Sequence, residues 1–386
     1  MSHASIQKQR VHDWLVSREK EMLRLLQRLV DQDSPSKVKD DTDQAGVIIE
    51  TFLHQNGIET ERVEHPELGF LLKGHSGNSQ NPHRLLLAHR DTVFPAGEAA
   101  ARPFSQSNGR AYGPGVADMK AGAVMNAFIL AAFKQTGCDK HLVALFSSDE
   151  EIGSPFSRDL IVREAQGALC VLNAEPGRMS GNVVTKRKGG RFMRLNVVGK
   201  PAHSGADISK GASAIEELAH KIVKLHALTD YSTGVTLNVG LVSGGISVNT
   251  SAPFAKGYID LRFPDETLGN RAMTAIKEIV SQSTVTGTTA SLEIEGEFLP
   301  MYENSDTMNL FKAYQSSAQS LGFAVGHEPT GACSESGFAQ STGAPTLCAV
   351  GPVGGNTHTP EEYIELNSIL PRTLAAALTL LQYPSN

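Results

Sequence analysis

Three apolar segments separated by helical patterns constrain the fold most strongly. The sequence reads RLLLAH at 84–89, HLVALFSS at 141–148 and ALCVLNAE at 168–175. Strands with apolar interiors are buried on both faces, which is typical of parallel strands covered by helices. The helical pattern at 118–137 supplies the kind of connection that parallel strands need. The sequence therefore predicts an α/β fold with a mixed, mostly parallel sheet flanked by helices.

The order of the predicted elements indicates two domains. From residue 188 to 297 the pattern gives strand, helix, two strands, helix and strand, which is the order of a ferredoxin-like α+β fold. The alternation of strands and helices resumes in 298–386. A chain of 386 residues is also too long for one comfortable core. We expect an α/β domain formed by 1–187 and 298–386, interrupted by an inserted domain at 188–297.

Two amphipathic helices are predicted before the first of these strands. Apolar residues recur at helical spacing from Gln7 to Val30. A second pattern runs from Thr42 to Gln55 and ends before Gly57, a residue that favours a helix end.

Composition excludes several classes of partner. The net charge is −6 and no long basic run occurs, which argues against nucleic acid. We expect no membrane span, because no apolar stretch comes near the ~18 residues that one needs, and no secretory signal, because MSHASIQKQRVHDW lacks an apolar region. The four cysteines show no C-x-x-C spacing, so we expect reduced thiols in a cytoplasmic protein rather than a structural disulfide.

Ionisable residues follow each of the three strands. His89 and Asp91 come after the first, Glu150 and Glu151 after the second, and Glu175 after the third. The carboxyl ends of parallel strands meet at one edge of a sheet, where ligands bind. Each motif taken alone has a simpler interpretation, since a histidine in a loop is often solvated and acidic residues often begin a helix. Their shared position favours a functional site.

Two further residues complete a possible metal site. Asp118 precedes the helical pattern, and His358 lies in the glycine-rich loop GGNTHTPEEY at 354–363. Two histidines and three carboxylates can hold two zinc ions, with one carboxylate bridging them, and such a pair activates water. Of the adjacent Glu150 and Glu151, one can ligate while the other acts as a general base. Asp91 could fix the tautomer of the ligating His89.

Six strings identify a family resemblance. AHRDTVFP, GPGVADMKAG, SSDEEIGS, NAEPG, GKPAHSG and HTPEEYIEL occur in this order over most of the chain. They resemble the motifs of the zinc metallo-exopeptidases that include glutamate carboxypeptidase of the carboxypeptidase G type, acetylornithine deacetylase, succinyl-diaminopimelate desuccinylase and aminoacylase. The family fold is a catalytic α/β domain with an inserted ferredoxin-like lid, which agrees with the domains predicted above.

The resemblance implies a role for each residue of the predicted metal site. His89, Glu151, Glu175 and His358 would be ligands of two Zn²⁺ ions, for which Co²⁺ or Mn²⁺ could substitute. Asp118 would bridge the two ions, Glu150 would be the catalytic base, and Asp91 would orient His89. The resemblance also implies a cis peptide bond between Asp118 and Met119.

Further roles follow from the resemblance in the inserted domain. His203 matches the lid histidine that reaches the active site of the partner subunit, which implies a homodimer formed through the lid. Asn249 and Arg262 match substrate-binding residues, and an arginine can clamp a carboxylate with two parallel hydrogen bonds. His203 could instead be an ordinary loop residue and Arg262 a surface ion pair. The stretch TGACSESGFA departs from the family pattern, with Glu335 in place of an aspartate and Cys333 among the glycines.

The predicted function is that of a dizinc hydrolase. It would cleave the amide bond of a C-terminal or N-acylated amino acid, most like a glutamate carboxypeptidase, with a small peptide or N-acyl amino acid as substrate. An N-acyl-amino-acid deacylase such as acetylornithine deacetylase is the alternative within the same class. An inactive binding protein on this fold is the alternative of a different class.

Overall fold

The computed structural model describes residues 3–384, which form two compact units. The main unit comprises the chain up to Lys186, Met301–Thr330, and the chain from Glu335 onward. The inserted unit comprises Arg187–Pro300 together with Gly331–Ser334.

The helices are distributed over both units. They are α1 His3–Ser17, α2 Glu19–Val30, α3 Lys39–Gln55, α4 Glu98–Ala101, α5 Ala121–Gln135, α6 Ser157–Ala165, α7 Ala214–His226, α8 Glu266–Ser281, α9 Ser305–Ser320, α10 Ser336–Gln340 and α11 Leu366–Gln382.

The strands form three sheets. They are β1 Thr60–Val63, β2 Leu71–Ser76, β3 Arg84–His89, β4 Ser105–Ser107, β5 Arg110–Tyr112, β6 Leu142–Ser147, β7 Val171–Asn173, β8 Val183–Arg187, β9 Gly189–Val198, β10 Thr236–Gly244, β11 Phe254–Phe263, β12 Thr289–Phe298, β13 His327–Thr330, β14 Thr346–Cys348, β15 Gly354–Gly355 and β16 Tyr363–Glu365.

The main sheet is mixed, and its parallel part is central. Its strand order is β1-β2-β6-β3-β7-β14-β8-β13. The strands β6, β3, β7 and β14 pair in parallel, whereas β1 and β2 on one side and β8 on the other pair antiparallel. Every residue of β3 and β6 is buried, as their apolar sequences predict.

Helix α5 is the central helix of the main unit. By length and composition the segment Val116–Gln135 could cross a membrane, so the expectation that no apolar stretch comes near this length is wrong. Of its 18-residue apolar window, 94% is nevertheless buried inside the protein, so its apolar character is that of a core helix. Its small residues allow close packing, since a Cβ atom at Gly122 would lie 2.0 Å from the carbonyl oxygen of Ala174.

The first predicted helix is divided in two at Arg18. The backbone there leaves the helical region, with φ −109° and ψ 7°. The Ser17 hydroxyl donates to the carbonyl of Trp14 and the Arg18 guanidinium lies over the Trp14 ring, so both side chains contact Trp14 at the break. Periodicity alone could not show this break, because the apolar spacing continues across it.

A small sheet in the main unit has the order β15-β16-β5-β4. Strand β16 pairs antiparallel with β5, with Tyr363 opposite Tyr112 and Glu365 opposite Arg110. The Arg110 guanidinium is 2.8 Å from Glu365 and stacks on the Tyr363 ring. This pairing places the segment after β5 beside the segment before β16.

The inserted unit has the predicted ferredoxin-like order of elements. Its antiparallel sheet has the order β10-β11-β9-β12, and α7 and α8 pack against it. Alternate residues of β9 and β11 are buried in a separate apolar core that includes Leu195, Ile259 and Ile276. The other sheet face therefore presents the intervening residues of these strands.

Candidate metal centre

Parallel pairing brings the ends of three strands together. His89, the last residue of β3, lies opposite Ser147 at the end of β6, and Leu87 lies opposite Asn173 at the end of β7. The ionisable residues that follow these strands therefore lie at one edge of the main sheet, as the sequence predicts.

Asp118 lies between two imidazoles. Its Oδ1 atom is 3.2 Å from Nε2 of His89, and its Oδ2 atom is 3.4 Å from Nε2 of His358. The Asp118–Met119 peptide bond is cis, as the resemblance implies. Each carboxylate oxygen thus faces a different histidine, which is the arrangement required of a residue that bridges two cations.

Glu151 faces the same space and has an unused ligand atom. Its Oε2 atom is 3.3 Å from Nε2 of His358. Its Oε1 atom is buried without a hydrogen-bond partner among the described residues. One potential ligand atom from each of His89, Asp118 and Glu151 lies within 4.8 Å of the others. Imidazoles and carboxylates that converge around an unsatisfied buried oxygen fit a metal ion of the zinc type.

Asp91 fixes the orientation of His89. The Nδ1 atom of His89 is 3.0 Å from the carbonyl oxygen of Asp91 and 3.5 Å from its carboxylate, so Nδ1 carries the proton and Nε2 is free to ligate. The fully buried Asp91 carboxylate accepts hydrogen bonds from the Ser36 hydroxyl at 2.6 Å and from the backbone N–H groups of Glu150 and Glu151 at 3.2 and 3.1 Å. It therefore also positions the turn that presents both glutamates.

Burial and close charges change the acidity of these groups. Burial raises the pKa of Glu150 well above its usual value. Burial, and next the Asp118 carboxylate, raise the pKa of Glu151 to about 7. Hydrogen bonds to Asp118 and Glu151 raise the pKa of His358 to about 10. A cation held by Glu151 and His358 would displace their protons, because a ligating imidazole or carboxylate is deprotonated.

Two more acidic residues are buried in the same part of the main unit. Glu175, at 6% exposure, is close enough to Glu150 for their charges to interact. Glu335 accepts a hydrogen bond from the Ser154 hydroxyl at 3.2 Å, and burial raises its pKa to about 8. The residue that departs from the family pattern is thus buried beside the candidate base, with the protonated form favoured at neutral pH.

Glu362 is a residue of this site to which the sequence analysis gave no role. It is completely buried and accepts hydrogen bonds from three backbone N–H groups of the segment 115–118. Its place in the string HTPEEYIEL was the only available signal, and that string contains two adjacent glutamates that the sequence does not distinguish.

His203 and Asn249 lie together in the inserted unit. The backbone N–H of Ser204 donates to the carbonyl of Asn249 at 2.9 Å, and His203 pairs with Thr250. The Nδ1 atom of His203 accepts hydrogen bonds from the backbone N–H groups of Gly205 and Ala206, so the neutral ring carries its proton on Nε2. His203 is exposed and able to donate from that atom.

Arg262 lies at the opposite end of the inserted sheet. It is eight residues from Phe254, where the loop of Asn249 joins β11, a separation of roughly 27 Å along the strand. Its guanidinium forms two hydrogen bonds to Asp260, at 2.7 and 3.1 Å, and stacks on the ring of Phe192. With Asp260 and Tyr231 it lines a cavity of about 460 Å³. One chain therefore does not bring Arg262 and Asn249 to the same ligand.

Comparisons with known proteins agree in family and fold. The model of the peptidase family M20/M25/M40 matches residues 85–382. Carboxypeptidase G2 of Pseudomonas sp. (strain RS-16) is 26% identical over 93% of this chain and 88% of that protein. Acetylornithine deacetylase of Aliivibrio fischeri is 30% identical over 81% of this chain and 84% of that protein. The structure of the M20 metallo-carboxypeptidase Sso-CP2 from Sulfolobus solfataricus superposes with a TM-score of 0.78 at 18% identity, over 94% of this chain and 99% of that one.

Proposed function

The chain belongs to the peptidase family M20/M25/M40, and on that premise we propose that it is a dizinc hydrolase of amide bonds next to a terminal carboxylate. The observation that carries the proposal is the position of Asp118, with each carboxylate oxygen facing a different imidazole. A single ion would need only one of these oxygens.

The metal ligands we propose are His89, Asp118, Glu151, Glu175 and His358. Their imidazole and carboxylate groups suit Zn²⁺, for which Co²⁺ or Mn²⁺ could substitute. When bound, such ions polarise the substrate carbonyl and lower the pKa of water, which makes it a nucleophile at neutral pH.

Glu150 is the proposed general base. Its side chain is buried at the site and its Oε2 atom is 4.0 Å from Nε2 of His89. Burial raises the pKa of Glu150 well above its usual value, which makes it a better proton acceptor, and a base at this place can take a proton from the attacking water and return it to the departing amine. The carboxylate of Glu151 faces His358 and is the proposed metal ligand, so Glu151 cannot also act as the general base.

Arg262 is the proposed binding residue for the substrate carboxylate. Two hydrogen bonds to Asp260 orient its guanidinium group, whose face stacks on the ring of Phe192. The substrate would be a small peptide or an N-acyl amino acid. The similarity to carboxypeptidase G2 supports a carboxypeptidase. The similarity to acetylornithine deacetylase supports an N-acyl-amino-acid deacylase as the second candidate.

A homodimer through the inserted unit is part of the proposal. Strand β10 is at the edge of its sheet, and an unpaired edge promotes association. This edge and the loop after it present the exposed apolar side chains Leu241, Val242, Ile246 and Val248. Pairing across a two-fold axis would cover them. Since His203 and Asn249 are far from Arg262 in one chain, we assign them to the active site of the partner subunit.

Hydrolysis assays with a substrate panel test the proposed activity. The purified protein is supplied with Zn²⁺ and given aminoacyl-glutamates, N-acetyl amino acids including N-acetylornithine, and dipeptides with amidated C-termini. We expect hydrolysis of substrates with a free carboxylate, loss of activity with a chelator, and about two zinc ions per chain. Bound zinc without any hydrolysis would favour the inactive binding protein, and absence of zinc binding would contradict the proposed metal centre.

The compartment is a separate proposal. The four cysteines are free in the structure, and three of them are buried. This is compatible with the reducing cytoplasm that we propose as its location.

A further inference from the structure

The ligands Asp118 and His358 are far apart in sequence and lie on two different loops. Asp118 lies in the segment Val116–Lys120 between β5 and α5, and His358 lies in the loop that precedes β16. Strands β5 and β16 are paired neighbours in the small sheet. The sheet brings the two loops near each other, but the pairing ends at Tyr112 and Tyr363 and does not itself fix the ligands.

The side chain of Glu362 connects the two loops beyond the end of the sheet. Its Oε1 atom accepts hydrogen bonds from the backbone N–H groups of Ala117 at 2.8 Å and Asp118 at 3.0 Å. Its Oε2 atom accepts one from the N–H of Gly115 at 3.2 Å. Both oxygens are therefore used, and all three donors belong to the loop of Asp118.

The donor loop has the form of an anion-binding nest. Gly115 has a left-handed backbone with φ +71° and ψ 15°, and the N–H groups of Gly115, Ala117 and Asp118 all point to the Glu362 carboxylate. A Cβ atom at Gly115 would lie 2.4 Å from a methyl group of Thr92, so glycine is required. Hydrogen bonds from N–H groups to an ionised carboxylate are stronger than those between neutral groups.

The adjacent Glu361 provides a contrast within the same loop. Its side chain is exposed, whereas that of Glu362 is completely buried. Burying a carboxylate is costly unless its oxygens are hydrogen-bonded. The buried glutamate, Glu362, is therefore the one whose carboxylate oxygens receive hydrogen bonds from the loop of Asp118.

We propose that Glu362 is a positioning residue for the metal centre, which ties the loop of the bridging ligand Asp118 to the loop of the ligand His358. The inference rests on the proposed function, because it assumes that these two residues ligate a metal. Glu362 acts through Asp118 and does not itself touch metal or substrate. Its hydrogen bond to the N–H of Asp118 fixes the backbone from which the bridging carboxylate extends.

Removing such a partner is expected to weaken metal binding. Residues that orient ligands typically contribute 10–100-fold to metal affinity. In Glu362→Gln the side chain keeps its size, but an amide N–H₂ group replaces one accepting oxygen and meets a backbone N–H donor. We therefore expect the affinity for Zn²⁺ to fall about 10–100-fold, with both ions affected because Asp118 is shared.

The experiment measures Zn²⁺ affinity by competition with a chromophoric chelator in the full-length, metal-free protein. Glu361→Gln is the matched control, which removes the same charge one residue away and should leave the affinity unchanged. Melting curves of the metal-free proteins separate a general loss of stability from a loss of affinity. A role in stability alone would lower the melting temperature and leave the affinity of the folded protein as it was.

A second variant guards against misfolding. Glu362→Asp keeps the charge but withdraws the carboxylate from its donors by one methylene group, and the same loss of affinity is expected. If a variant folds and keeps the affinity of the unmodified protein, the inference is wrong and the proposed function is unaffected. The inference is also wrong if neither variant folds with Zn²⁺ present. If the unmodified protein bound no Zn²⁺, the proposed metal centre and this inference would both be wrong.

Discussion

Adjacent glutamates at the end of β6 have different surroundings, although their side chains are chemically identical. Glu151 points to His358 and leaves one buried oxygen unpaired, while Glu150 approaches His89 at 4.0 Å. The Asp91 carboxylate accepts hydrogen bonds from the backbone N–H groups of both glutamates and so holds the turn on which they lie. One buried aspartate thus holds the backbone from which both side chains extend in their different directions.

The first prediction concerns Glu150. Replacing it in Glu150→Gln removes a proton acceptor but no metal ligand, so we expect turnover to fall about 10²–10⁴-fold. The zinc content, measured by elemental analysis, should stay at the level of the unmodified protein.

The adjacent variant is the control. Glu151→Gln should lose zinc, because an amide is a weaker ligand than a carboxylate. If Glu150→Gln lost metal and Glu151→Gln kept it, the two roles would have to be exchanged.

At the scale of elements, a buried ion pair in the inserted unit connects two helices and a turn. Lys221 on α7 donates to the carbonyls of Ile279, Val280 and Gln282 at the end of α8. Its ammonium is also 3.0 Å from Glu217, one turn earlier on the same helix. The Glu217 carboxylate in turn accepts from the backbone N–H groups of Thr284 and Val285.

Breaking this pair from one side should destabilise the inserted unit. Lys221→Met leaves the completely buried Glu217 without its cation, and removing one partner of a buried pair costs about 3–5 kcal/mol. Urea unfolding followed by circular dichroism measures the free energy of the corresponding transition. Lys224→Met, an exposed position on the same helix, is the control and should change little.

The same pair predicts a dependence on pH. Burial alone would raise the pKa of Glu217, but the N–H of Val285 and the Lys221 ammonium hold it below its usual value. A lowered pKa means that the ionised form stabilises the fold above the unfolded pKa of about 4.3. That stability is lost as the pH falls through the lowered value. We expect Glu217→Gln to be less stable at neutral pH and to lose less stability than the unmodified protein on acidification, as measured by melting temperature against pH.

At the scale of the whole molecule, the proposed dimer has a direct test. Two impaired variants, His203→Ala and Glu150→Ala, are mixed under conditions that allow subunit exchange. If His203 acts in the partner's site, a mixed dimer has one site with both residues intact. Activity should then return to roughly a quarter of the unmodified level, since half of the dimers are mixed and each has one intact site.

The control for this experiment is exchange itself. Differently tagged subunits must co-purify after mixing. If they do and no activity returns, His203 does not act in the partner's site. A protein that stays monomeric at assay concentration would contradict the dimer as a whole.

The sequence by itself indicated the central buried strands, the inserted domain and the candidate ligand residues. Apolar runs such as RLLLAH identify buried strands because burial on both faces excludes polar residues, and ionisable residues after such runs indicate the ligand-binding edge. The order of elements in 188–297 was also sufficient for the ferredoxin-like arrangement. These are local signals, because the apolar periodicity of a strand, two residues, or of a helix, 3.6 residues, depends only on near neighbours in the sequence.

The tertiary structure decided what depends on distant contacts. The antiparallel edges of the main sheet follow from strand pairing that no local pattern encodes. The separation of Arg262 from Asn249 by the length of β11 becomes visible only when the inserted sheet is formed. Glu362 is distinguished from Glu361 by the hydrogen bonds that it accepts from N–H groups of a loop more than two hundred residues earlier in the chain. Such residues cannot be identified from sequence, because their partners are brought to them by the folded chain.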